Sequence, residues 1–74
     1  MARALHLVKG GDVGLALATA ARQLAAGDAV TIVALHGAAV PPLPAGATLR
    51  RVPEDLSYDQ LLEAVFEADQ VIAW

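Results

Sequence analysis

The sequence predicts a small α/β domain: a three-layer parallel sheet of about four strands with two main helices, in a single domain over residues 1–74. Three observations predict it. Short apolar runs alternate with longer amphipathic segments, the signature of strand–helix–strand units with right-handed crossovers. Ala29 to Leu35 is apolar throughout except for Thr31, as in a central parallel strand covered on both faces. Glycine and proline punctuate the joints between the segments.

Each element has its own signal. Arg3 to Val8 reads as a buried strand, with His6 among Ala4, Leu5, Leu7 and Val8. Lys9-Gly10-Gly11 is a turn, and Asp12 is placed to cap a helix from Val13 to about Ala26. Gly27 is its C-terminal stop. Val13, Leu17, Ala20, Ala21 and Leu24 form its apolar stripe, and Arg22 and Gln23 are expected to face water. Ala29 to Leu35 follows as the second strand. Pro41, Pro42 and Pro44 prevent a full helix before Gly46, so the second crossover is nearly bare and part of one sheet face is expected to lack its covering helix. Ala47 to Val52 is a weaker strand nearer an edge, ended by Pro53. The last helix runs from Ser57 to about Ala68. Ser57 is its N-cap, Gln60 completes a capping box, and Leu56 with Leu61 forms a hydrophobic staple. Tyr58, Leu61, Leu62, Val65 and Phe66 share its apolar face, and Gln70 to Trp74 is the closing strand.

Composition narrows the function classes. The chain has 74 residues, no cysteine and 57% hydrophobic residues. Disulfides are excluded, and His6 and His36 alone make a structural zinc improbable. A domain this small hides so much apolar surface with difficulty, so partner subunits are expected. Without cysteines, a long apolar span or an export signal, the expected location is cytoplasmic. The net charge is −3, and its distribution is uneven: all five bases lie in residues 1–52, and six of the eight acids lie from Pro53 onward. A solvated helix face accounts for most of this, with an electrostatically steered contact as the other reading. Five scattered bases make a poor nucleic-acid footprint.

Gly10, Gly11 and Asp12 stand between a strand and a helix, where backbone N–H groups and the helix dipole receive anions. Their spacing departs from the dinucleotide fingerprint, which needs G-x-G-x-x-G, and Asp12 adds negative charge, so a tight turn is the simpler reading. His36-Gly37 lies at the carboxyl end of the second strand, where an acid–base group or a ligand contact would sit. With Gly10–Asp12 it forms the alternative reading, a small-ligand or nucleotide-binding module. No acid, serine or cysteine is spaced to form a triad with either histidine, so the chain reads as a non-enzyme that needs no cofactor. His6 reads as a packed or interface residue, and Trp74 as a structural or interface one.

Two terminal blocks, Ser57-Tyr58-Asp59-Gln60-Leu61-Leu62 and Asp69-Gln70-Val71-Ile72-Ala73-Trp74, resemble the end of the DsrH/TusB branch of the DsrE-like family. Leu5-His6-Leu7-Val8-Lys9 resembles that family's first strand. Gly27-Asp28, Val30-Thr31-Ile32-Val33 and His36-Gly37-Ala38-Ala39 resemble its second strand and the glycine turn after it. The family's Arg-Gly-Leu segment before the last helix is missing, since Asp55-Leu56 runs directly into Ser57. Sulfur carriers in the wider family hold persulfide on a cysteine, which this chain lacks. The resemblance therefore implies a non-catalytic subunit of a sulfur-transfer complex, of the kind serving tRNA 2-thiouridine synthesis or sulfur oxidation. Its partners would be copies of itself or cysteine-bearing DsrE-like subunits, with His36, Val40, Tyr58 and Trp74 at the interface and neither nucleic acid nor membrane contacted directly.

Overall fold

The computed structural model describes residues 2–9, 13–35, 38, 40 and 42–74. In chain order the elements are β1 (Arg3–Val8), α1 (Val13–Ala25), β2 (Ala29–Leu35), β3 (Thr48–Val52), α2 (Tyr58–Glu67) and β4 (Gln70–Ala73). The strands form one sheet in the order β3-β2-β1-β4, and every pairing is parallel. β2 is internal, as its apolar run predicts, and pairs with β1 from Arg3↔Ala29 to Val8↔Ala34.

Side chains alternate across the sheet, and each face has its own core. Ala4, Val8, Val30 and Ile32 meet Ala16 and Ala20 of α1, with Val13, Leu24, Leu43, Leu49 and Trp74 packed around them. On the opposite face Leu5, Val33, Leu35 and Val52 meet Leu56, Leu61, Ala64, Val65 and Ala68. The alanines at the centre of α1 let that helix lie close to the sheet.

The helix ends follow the sequence signals. Gly27 has φ +90°, its N–H donates to Leu24 O at 3.0 Å, and the Asp28 N–H donates to Gln23 O at 3.0 Å. These two bonds complete a Schellman stop. At α2 the Gln60 N–H donates to Ser57 Oγ at 3.2 Å and the Ser57 N–H to Gln60 Oε1 at 2.9 Å, a full capping box. Two aspartates tie the start of β1 to its neighbours. The Ala2 N–H donates to Asp28 Oδ1 at 3.2 Å, and the Arg3 N–H to Asp69 Oδ2 at 2.8 Å.

Two expectations need correction, one in each helix. Val13, Ala20 and Leu24 of α1 and Leu61 and Val65 of α2 pack on the sheet as their patterns predict, but each helix is turned from the expected centre of its buried face. In α1, Ala21 is exposed, whereas Gln23, expected to face water, turns toward the sheet. In α2, Tyr58, Leu62 and Phe66 are exposed, and Ala64 and Ala68 take the sheet side beside Leu61 and Val65. The cause is the same in each helix: small alanines allow a closer approach than a stripe of large residues would. The second crossover carries no helix among the described residues, as its prolines predict. Ala38 is buried and Leu43 packs on the α1-side core, so this connection helps cover that face. A cleft of about 330 Å³ opens on the other face, over β1, β2 and β3 beside α2. One helix is about 10 Å wide, whereas four strands at about 4.8 Å spacing make a broader floor.

These contacts rank three substitutions. Ser57→Ala removes the cap oxygen and is expected to cost about 1 kcal/mol. Leu61→Ala, at a half-buried core position, is expected to cost about 1–2 kcal/mol. Leu62→Ala is expected to stay within about 0.5 kcal/mol, because the side chain is in water. Urea melts of the three variants check the order, and a Leu62 loss as large as that of Leu61 would show that α2 is turned the other way.

Candidate functional site

The residues singled out from sequence are scattered. Gly10, Gly11, Asp12, His36 and Gly37 lie outside the described residues. The sheet order reverses between β1 and β4, the switch point where open α/β sheets receive ligands, and β1 ends there at Val8. Val40 is half-buried in the crossover. Tyr58 is exposed on the first turn of α2, and Trp74 packs on the α1-side core. Tyr58 and Trp74 are therefore on different faces of the sheet.

The structure instead groups residues on α2. Tyr58, Leu62 and Phe66 are 58%, 57% and 86% exposed. They follow one another at intervals of four and so line one flank of the helix. At about 100° per residue, Asp59 and Glu63 form the next row toward solvent. Ala64, Glu67 and Ala68 turn the opposite flank to the cleft. The Tyr58–Leu62–Phe66 flank thus lies toward β4, where Val71 is also 38% exposed on the same sheet face. Large apolar side chains rimmed by charge mark contact surfaces.

Not all the clustered acids belong to that rim. Asp69 is spent on the Arg3 N–H, and Asp55 Oδ2 accepts the Arg51 N–H at 2.9 Å. The Arg3–Glu67 ion pair is long, at 3.9 Å, and both side chains are about 70% exposed (67% and 71%), so it contributes little.

A second arrangement, absent from the sequence reading, surrounds His6. Its ring is fully buried. The Trp74 Nε1–H donates to His6 Nδ1 at 2.9 Å, and the two rings stack at 20° with centroids 6.0 Å apart. Indole nitrogen only donates, so Nδ1 is the bare acceptor and the imidazole proton sits on Nε2. That N–H donates to Gln23 Oε1 at 2.6 Å, and Gln23 Nε2 donates to Gln70 Oε1 at 3.0 Å. The relay therefore runs in one direction, from Trp74 through His6 and Gln23 to Gln70. Both ring nitrogens are occupied in this way, so His6 is a structural tie between β1, α1 and β4. No local pattern announces Gln23 as its partner; only the α1–sheet register brings them together. Among the described residues no buried side-chain donor or acceptor lacks a partner.

Among the described residues no group of three or more His, Cys, Asp or Glu side chains could hold a metal ion. No described helix is long and apolar enough to cross a membrane.

The relay makes a graded prediction. Trp74→Phe keeps a ring but strands His6 Nδ1, and Gln23→Leu strands Nε2–H. Each is expected to cost about 1–3 kcal/mol. Gln70→Ala, at the exposed end, is expected to cost under about 0.5 kcal/mol. Denaturant melts read the ranking, and ¹⁵N shifts of the imidazole read the tautomer; a proton on Nδ1 would overturn the assignment. No family model matches the chain, nor does any curated protein or solved structure, so the functional reading rests on its own residues.

Proposed function

We propose that this chain is a non-catalytic subunit that acts by protein–protein contact, and that its partner is a cysteine-bearing DsrE-like subunit of a sulfur-transfer complex. The observation that carries the reading is the exposed row Tyr58–Leu62–Phe66 on α2. Two of its residues, Tyr58 and Leu62, belong to the terminal block that resembles the DsrH/TusB branch, so the resemblance and the exposed surface fall on the same helix. The absence of cysteine supports a supporting role over that of a carrier.

Charge supports a different chain as the partner. Asp59 and Glu63 run beside the apolar row, and a second copy docked helix to helix would bring two acidic rows together. A partner with an apolar centre and a basic rim meets both features. The acids would then steer encounter, and the apolar row would set the lifetime of the complex.

Light scattering on the purified chain, alone and mixed with cysteine-bearing DsrE-like chains from the same genome, tests this. A heteromeric complex is expected. Leu62→Ala with Phe66→Ala is expected to weaken it at least about tenfold, as for paired interface anchors, with the melting midpoint of the free chain unchanged. Raising salt is expected to slow association more than it speeds dissociation. A chain that stays monomeric beside every such partner would end the reading. So would a complex that the double variant leaves intact.

A further inference from the structure

The cleft on the α2 side has a chemistry of its own, independent of the partner reading. Its floor is the α2-facing side of the strands, with Leu5, Thr31 and Val33, and its wall is Ala64 and Ala68 of α2. The two alanines leave the space that larger side chains would fill. Two cations border it. Arg3 pairs loosely with Glu67. Arg50 stands opposite Val33 in the β2–β3 register, is exposed, and has no hydrogen bond or ion pair to another side chain among the described residues.

Register fixes how the two arginines are arranged. Arg3 is level with Ala29 and Arg50 with Val33, on strands flanking β2. That is two strand spacings and four residues apart, roughly 16 Å between backbones. The cations therefore mark opposite ends of the cleft and do not form one clamp. A volume of about 330 Å³ is at the small end for ligand sites and holds roughly ten heavy atoms.

We propose that this cleft binds a small amphipathic carboxylate, with its apolar body on Ala29 and Thr31 against Ala64 and Ala68, and its carboxylate on the Arg50 guanidinium. A planar guanidinium pairs with a carboxylate through two parallel N–H donors. Glu67 disfavours the reverse orientation, since its carboxylate stands beside Arg3 and would repel the carboxylate of the ligand. The Thr31 hydroxyl supplies a polar point on an otherwise apolar floor.

The test titrates the ¹⁵N-labelled chain with octanoate and, separately, with 1-octanol, which has the same tail and no charge. Octanoate is expected to shift the amides of Thr31, Val33, Ala64 and Ala68, and to bind about three- to tenfold more tightly than octanol. Arg50→Gln, a surface change that leaves the fold intact, is expected to abolish that preference and leave octanol binding unchanged. Ala64→Leu is expected to weaken both ligands by filling the cleft, its fold checked by the unshifted Trp74 indole signal on the other sheet face. Four results would each overturn the proposal: no octanoate binding at millimolar concentration, equal affinity for the two ligands, a preference that survives Arg50→Gln, or shifts centred on Tyr58, Leu62 and Phe66.

Discussion

A parallel sheet must be covered on both faces, and the described residues supply one helix for each. That constraint governs the rest of the structure. On one side α1 is assisted by the crossover, whose Leu43 packs where a second helix would lie. On the other side α2 works alone. It spans ten residues, about 15 Å, and settles over Leu5, Val33, Leu35 and Val52. What it cannot reach on one flank becomes the cleft, and what it cannot bury on the other becomes the Tyr58–Leu62–Phe66 row. The two candidate binding features are thus both consequences of a single short helix on a broad floor.

The elements were legible in the sequence because their signals are local. The Ser57–Gln60 box, the Gly27 stop and the unbroken run of β2 each depend on neighbours a few residues away. The buried faces of the helices were less legible. In α2, apolar residues occupy more than half the circumference, from Ala64 round to Phe66, so periodicity admits several orientations. Alanine decides between them by allowing close approach, a property that hydrophobic patterning underweights. The candidate site shows the same division. Periodicity places Tyr58, Leu62 and Phe66 together on one flank of α2, but it does not tell whether that flank meets the sheet or the solvent, where the structure puts it. The Arg50 end of the cleft and the His6–Gln23 bond depend on strand register and helix placement, which no local pattern encodes.

The buried relay also explains how a core histidine is accommodated without a charged partner. Each donor in it meets an acceptor, and its far end, at Gln70, opens to water. A buried polar chain of this kind contributes little net stability, yet it penalises misplaced packing because a shifted neighbour leaves a donor or acceptor stranded. It therefore helps fix how α1 and β4 sit on β1, in a core otherwise made of interchangeable aliphatic contacts.

The position of β1 has a consequence for vectorial synthesis. This first strand is central, with β2 on one side and β4 on the other. Its contacts to the closing segment span 66 residues from Arg3 to Asp69 and 68 from His6 to Trp74. While the polypeptide emerges from the ribosome, β1, α1, β2 and β3 are all available before β4 is. A nascent chain at that stage carries an open strand edge and an imidazole without its indole donor. Unpaired parallel edges of this kind recruit other strands. The interval between the emergence of β3 and that of β4 is thus when this small domain is most exposed to a wrong partner.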